Sequence, residues 1–327
     1  MKRRLSIHAA LLAATLAVVG AAEPARADDA YPSRPVKIVI GFAAGSGTDI
    51  TARMIAQELQ KAFNQPFVVE NRPGGAVQIA SALVKAAPAD GYTLLLASSA
   101  SHSVNPHLFK SLPYDPIADF TPIGGIAAIP WIVAVSSELP VKTLPELVSW
   151  TRANRGKVFY GYSGTIFRVP AEVLNRTQQL DATPVPFKSS PETMTELMAG
   201  RLQFIVVDLA ASQPHLLSKR MRALAVTTGK RSALAPDLPT VEEALGIPEF
   251  DMASWTGLFG PANLPKPIVD KLGSALVKIL ERPDMKQRML AANLEPIPSD
   301  PVTFSNLVKQ QLKSWGVKVK YAGIEPE

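Results

Sequence analysis

Short apolar runs rich in β-branched residues alternate with amphipathic stretches of helical period along most of the chain. This alternation limits the possible folds more than any other feature. Runs at 37–40, 66–69, 93–96, 131–135, 158–160, 183–186, 204–207 and 223–226 have the length and composition of buried strands. Segments at 49–63, 76–87, 143–153, 169–177, 191–199 and 211–218 place apolar residues on one helical face. Strands separated by helices predict an α/β fold with parallel sheets. Two stretches break the rhythm. Residues 121–131 have no helical charge pattern, and residues 250–261 are rich in turn and aromatic residues. Both are expected to cross between two lobes. The tail from 266 to 319 predicts two or three amphipathic helices, with Trp315 on an apolar stripe facing the core. The expected architecture is a hinged clamshell of two α/β lobes joined by two crossings. One lobe comprises 28–128 plus 252–327 and the other 129–251. Ligands of open α/β sheets bind beyond the carboxyl ends of the strands, and closure of a clamshell buries them there.

Residues 1–27 have the pattern of a cleavable export signal. Lys2, Arg3 and Arg4 precede an apolar stretch at 11–19, and Ala25-Arg26-Ala27 fits the small-x-small cleavage rule. Cleavage near Ala27 and a periplasmic location are expected. No later stretch reaches about 18 uninterrupted apolar residues, so the sequence predicts no transmembrane helix. The chain of 327 residues contains no cysteine, which excludes disulfides, thiolate metal sites and a thiol nucleophile. The formal net charge is +6. Lys2, Arg3, Arg4 and Arg26 against Glu23 account for half of it, and the remaining basic residues are dispersed. That pattern belongs to a solvated surface, not to a nucleic-acid-binding one.

Four strand ends hold the candidate chemistry. The first is Phe42-Ala43-Ala44-Gly45-Ser46-Gly47-Thr48, between a strand and a helix. Its glycines allow close backbone approach, and the free N–H groups at the start of the helix favour a carboxylate or phosphate. The plain alternative is a strand-helix turn with a Ser/Thr cap. It fails the dinucleotide motif, with Ile50 at the third glycine position, and it lacks the Gly-Lys-Ser/Thr of a P-loop. The second candidate holds Ser98, Ser99, Ser101 and His102, a donor-rich edge. Adjacent Ser and His do not make a catalytic triad, and no acid is placed behind His102. The third is Tyr162-Ser163-Gly164-Thr165-Ile166-Phe167-Arg168. It fails the nucleophile-elbow rule because Thr165 stands where Gly is required. Arg168 offers a bidentate partner for a carboxylate or a surface ion pair, and Tyr162 and Phe167 offer flat walls. The fourth is Asp208, a cap for the following helix or an acceptor for a ligand hydroxyl or amine. His102, His107 and His215 show no metal-ligand spacing.

Ordered motifs then span the chain. They include Tyr31-Pro32-Ser33-Arg34-Pro35, Glu70-Asn71-Arg72-Pro73-Gly74, Asp90-Gly91-Tyr92-Thr93-Leu94-Leu95, Leu112-Pro113-Tyr114-Asp115-Pro116 and Pro236-Asp237-Leu238-Pro239-Thr240-Val241. With them the chain resembles the Bug family, periplasmic solute-binding components of tripartite tricarboxylate transporters. The resemblance runs from about residue 31 to 324 and implies the two-lobed periplasmic binding protein fold, a type II-like clamshell with two interdomain crossings. It implies a receptor without catalysis or cofactor, acting as a monomer that binds a small carboxylate and delivers it to membrane permease subunits. It also implies that one carboxylate is held by backbone amides from the loops at 42–48 and 162–168, with Ser98 to His102 lining the cleft. Three departures concern the ligand. The second loop is about two residues shorter than usual, with Arg168 where His is usual and Phe167 beside it. Gly41 replaces a proline, and Phe187-Lys188-Ser189 replaces Tyr-Lys-Gly. These changes lean toward an aromatic mono- or dicarboxylate such as terephthalate. Citrate or an aliphatic dicarboxylate is the alternative ligand. A ligand-presenting sensor and, more distantly, an exported hydrolase using Ser163 or Ser99 are alternative roles.

Overall fold

The computed structural model describes residues 31–326, and the expected export signal lies outside the described residues. Among the described residues eleven strands, numbered in chain order, form two sheets. The first holds β1 (Val36–Ile40), β2 (Phe67–Asn71), β3 (Thr93–Ser98), β4 (Phe120–Ile129), β10 (Ser254–Pro261) and β11 (Glu295–Ser299), in the order β11-β4-β10-β3-β1-β2. The second holds β5 (Trp131–Ser136), β6 (Phe159–Tyr162), β7 (Thr183–Pro186), β8 (Phe204–Asp208) and β9 (Met221–Val226), in the order β7-β6-β8-β5-β9. The helices among the described residues are α1 (Gly47–Phe63), α2 (Gln78–Lys85), α3 (Asn105–Leu108), α4 (Leu144–Ala153), α5 (Thr165–Thr177), α6 (Ser190–Met198), α7 (Leu209–Leu217), α8 (Val241–Leu245), α9 (Lys266–Glu281), α10 (Pro283–Ala291) and α11 (Pro301–Tyr321). None of them is long and apolar enough to cross a membrane.

The predicted strands form, but the sheets are mixed instead of parallel. β10 pairs antiparallel with both β3 and β4, and β5 pairs antiparallel with both β8 and β9. The cause lies in the two stretches expected to be crossovers. Residues 120–129 and 254–261 are themselves strands at the heart of the first sheet. The first crossing shrinks to Pro130, which joins β4 to β5 without a helix. A strand fed directly from the other sheet, with no helix to reverse it, runs against its neighbours. Gly124 and Gly125 belong to β4 because β11 lies very close. A Cβ on either would stand 3.0 Å from the carbonyl oxygens of Ser299 or Ile297.

Each element is fixed by its apolar face. In α1 the buried residues Ala52, Ile55, Ala56 and Leu59 recur at helical spacing and join one core with Val36, Ile38 and Ile40 of β1 and Leu272, Leu276 and Leu280 of α9. Ser46 caps α1 by accepting from the Asp49 amide, and Asn64 closes it in the left-handed region. In the second sheet Val133 and Val135 of β5 and Phe204 and Val206 of β8 point to one core. Ile132, Ala134, Ile205 and Val207 point to another. Helix α11 serves both sheets. Phe304 and Val308 pack with Trp255 and Phe259 of the first, while Trp315 and Val319 pack with Trp131 and Tyr160 of the second.

Candidate functional site

The strand directions bring two edges together. Ser98 at the end of β3 stands opposite Thr256 near the start of β10, and Ser254 opposite Ile129 at the end of β4. Both chain crossings therefore leave the first sheet at the carboxyl edge of β1 and β3. In the second sheet Trp131, the first residue of β5, stands opposite Asp208, the last of β8, and Ile132 opposite Val226 at the end of β9. β6 runs parallel to β8, so the turn after Tyr162 leaves from that same edge. The crossings are tied where they meet. Leu209 N donates to Pro130 O (3.1 Å), Thr227 N to Trp131 O (2.9 Å) and Met252 N to Thr227 O (2.8 Å). Lys318 of α11 donates to the Asp251 carbonyl (2.6 Å). Both carboxyl edges thus look toward one junction, the place where α/β sheets bind ligands.

On the first edge, the loop Phe42 to Thr48 is braced from beneath by Asp49. One carboxylate oxygen of Asp49 accepts from Gly45 N (2.9 Å) and Arg53 Nε (2.9 Å), and the other from Asn71 Nδ2 (2.9 Å). The Asn71 amide also donates to Phe42 O (3.0 Å). The Arg53 hydrogen bond, with those of Gly45 and Asn71, outweighs burial and holds the Asp49 carboxyl at about 2. Gly45 N is therefore spent on Asp49, and Ser46 N on Ala43 O (3.3 Å). Gly47 and Thr48 begin α1, where an N–H has no carbonyl one turn back to bond. The charge-free donors for an anion are at Gly47 and Thr48, at the positive end of a helix of 17 residues.

A neighbouring loop escaped the sequence reading. Ala76 (φ 48°) and Val77 (φ 68°) are both left-handed, a conformation that β-branched residues seldom hold. Asn105 Nδ2 fastens the Ala76 carbonyl at 2.7 Å. Gly41 makes this possible, because a Cβ there would lie 2.7 Å from the Val77 Cβ. The only sequence signal for this wall was the run Pro73-Gly74-Gly75.

Ser98 to His102 divides. The Ser98 hydroxyl is buried without a partner, and Ser99 Oγ donates to Ser254 Oγ (3.1 Å) across the second crossing. Ser101 and His102 turn inward, contrary to the expectation that they line the cleft. The His102 ring lies 4.3 Å from that of Phe259 and 4.8 Å from that of Phe120, and its Nδ1 meets Ser101 Oγ at 2.9 Å. Burial pushes its pKa down to about 3, and Nε2 has no partner. The cause is an irregular helical turn at 100–104, which rotates the imidazole into an aromatic pocket.

On the second edge, Gly164 precedes α5 and gives it no side-chain cap. Phe167 N bonds Gly164 O (3.2 Å), and Ser163 Oγ bonds Ser190 Oγ (2.8 Å). Thr165 opens α5, so its amide is also without an intrahelical acceptor. The Phe167 ring stands 5.0 Å from that of Trp131, and the Arg168 guanidinium lies 5.5 Å from the centre of the Tyr162 ring. Among the described residues no carboxylate forms an ion pair with Arg168, and its Nε is buried without a partner. Asp208 does not cap α7 with its side chain. Burial pushes its carboxyl up to about 6, against a weaker downward pull from the Trp131 indole. A surface hollow of about 440 Å³ lies elsewhere, between Phe63 at the far end of α1 and Lys271 and Lys278 of α9.

Residues 51–324 match the sequence profile described as Tripartite tricarboxylate transporter family receptor. The chain belongs to the tripartite tricarboxylate transporter receptor family. Rpa4515 of R. palustris, solved with adipate, superimposes with a TM-score of 0.81 at 33% identity, covering 91% of this chain and 100% of that one. MatC of Rhodopseudomonas palustris, solved with bound malate, gives 0.75 at 31% identity, covering 88% and 100%. BugT of Bordetella pertussis is 28% identical over 96% of this chain and 97% of its own. The fold is the two-lobed periplasmic binding protein fold of these receptors, and the family consists of solute-binding receptors, not enzymes.

Proposed function

We propose that the protein is exported to the periplasm, binds a small carboxylate between its two carboxyl edges and hands it, as a monomer, to the membrane subunits of a tripartite tricarboxylate transporter. The single observation behind this reading is the pair of helix N-termini, α1 and α5, that open from those two edges with unbonded first-turn amides. The first lobe takes in residues 28–128 and 252–327 and the second 129–251, with α11 packed on both. One carboxylate sits against Phe42, Ala43, Ala44, Gly47 and Thr48, with Ser98 and Ser99 beside it. Tyr162, Ser163, Thr165, Phe167 and Arg168 close from the other side. The flat surfaces of Phe167 and Tyr162 favour an aromatic mono- or dicarboxylate body. An aliphatic diacid is the second reading, favoured by the adipate and malate found in two relatives.

Thermal-shift screening against citrate, aliphatic diacids, benzoates, phthalate isomers and nicotinate tests both readings. A ligand that binds only the folded state raises Tm by mass action. Shifts with aromatic acids are expected. Shifts with aliphatic diacids alone would keep the receptor and discard the aromatic body. No shift with any of them would remove the carboxylate reading.

A further inference from the structure

Asp208 stands where a receptor for a plain dianion has no use for it. Along β8 the residues Phe204 and Val206 alternate onto one apolar face, and the period of a strand carries Asp208 onto that same face. Its partner in register is Trp131, whose side chain shares that face and packs against Phe167 of α5 and Trp315 of α11. A carboxyl group thus ends an apolar row at the rim of the proposed cleft, half-buried. Among the described residues no ion pair reaches it, and it does not cap the helix that it precedes. The one side-chain donor among the described residues that acts on it is the Trp131 indole N–H opposite, which pulls weakly and lies outside full hydrogen-bond geometry. No cation is close enough to draw its pKa below the ordinary carboxylate range; burial instead raises it to about 6. A half-buried carboxyl with one weak donor keeps acceptor capacity free, and a ligand that supplies a donor there gains a hydrogen bond to a charged group.

We infer that Asp208 is a specificity-determining acceptor, and that the ligand is a carboxylate carrying a hydrogen-bond donor (amide, hydroxyl or ammonium) at the end remote from the α1 loop. The inference rests on the carboxylate-receptor reading and narrows it. A second carboxylate at that end would face Asp208 with like charge at neutral pH and would bind only by taking up a proton. A primary amide of the same shape would donate to it. A site built around a donor rejects the analogue lacking one far more strongly than an apolar wall does.

The test uses matched pairs that differ only at one end, 4-carbamoylbenzoate against terephthalate and succinamate against succinate. Each is titrated calorimetrically into the purified protein and into Asp208→Asn. The wild type is expected to bind the monoamide of at least one pair tenfold or more tighter than the diacid. Asp208→Asn, nearly isosteric and itself a donor to carboxylates, is expected to erase or invert that ratio. Equal binding of amide and diacid by the wild type would overturn the inference and leave the receptor standing. An unchanged ratio in the variant would also overturn it, as would the same preference in a variant whose melt shows a folded protein. Binding of no member of either pair would overturn the carboxylate reading and this inference with it.

Discussion

At the residue scale, Arg168 and His102 follow strand ends in the two sheets and have opposite surroundings. Arg168 has no ion-pair partner among the described residues and keeps a buried, unpartnered Nε beside the Tyr162 ring. If it meets the ligand carboxylate, Arg168→Ala removes a charged hydrogen bond of about 1.5–3 kcal/mol, which calorimetry would read as roughly a tenfold or greater loss of affinity. Unchanged affinity would place Arg168 outside the site. His102 makes the opposite case. Its Nε2 is buried without a partner in a box of aromatic rings. His102→Phe replaces an unsatisfied polar atom by apolar surface, so stability in urea should hold or rise while ligand affinity stays unchanged. Loss of binding in that variant would return His102 to the cleft. The sequence could not distinguish these two residues. Both are polar groups just past a strand, and only the turn at 100–104 decides that the imidazole points inward.

At the scale of elements, the alternating strands and helices were legible because each has one apolar face of the right period. The loop from Phe42 to Thr48 was legible too, since Gly and Ser at a strand-helix junction have few other uses. What supports that loop was not. Asp49 read as the first residue of a helical segment, yet its carboxylate holds Gly45, Arg53 and Asn71 together. β4 and β10 read as crossovers because Gly124, Gly125 and Gly257 weaken a strand signal. Gly257 is small because the Phe304 ring of α11 occupies the space a Cβ would need. Such a requirement is set by a partner about fifty residues away and leaves no local pattern. α11 itself is the element with the widest reach. Trp315, fully buried against Trp131, ties its second half to the second sheet while Phe304 ties its first half to the first. Trp315→Ala should cost about 3–5 kcal/mol, seen as a lower urea midpoint, because a large cavity opens where the two sheets share one helix. A loss below about 1 kcal/mol would mean that α11 does not brace both.

At the scale of the molecule, stability depends on pH through a few unusual groups. Glu58 is fully buried; burial alone would raise its pKa, but hydrogen bonds from Lys61, Arg288 and Arg282 outweigh that and hold it at about 2. Asp49 is likewise held at about 2, chiefly by Arg53. Carboxyls depressed on folding stabilise the protein above their unfolded values of 4.5 and 3.8, and that stability is lost as the pH falls toward 2. His102, depressed by burial from 6.5 to about 3, adds a loss of the same sign that begins below pH 6.5. Asp208 works the other way. Its carboxyl is raised from 3.8 to about 6, so its ionisation opposes folding as the pH rises through that window, and acidification relieves the penalty. Urea unfolding between pH 3 and 7 should therefore show stability falling most steeply below about pH 4. Asp208→Asn should gain most over wild type near pH 7 and least near pH 4. A constant difference across that range would show that Asp208 titrates alike in both states.

The sequence by itself determined that this chain makes two α/β units and places a Gly-Ser cradle after its first strand, because hydrophobic period and turn chemistry are local properties. Its ordered motifs also determined the family. Tertiary structure alone decided that the sheets are mixed, that both crossings meet at the two carboxyl edges, that His102 is core and that Asp208 stands opposite Trp131 with no cation beside it. Each of those depends on which distant backbone or ring arrives beside a residue. Burial and hydrogen-bond satisfaction are properties of that arrival and cannot be read from the residue alone.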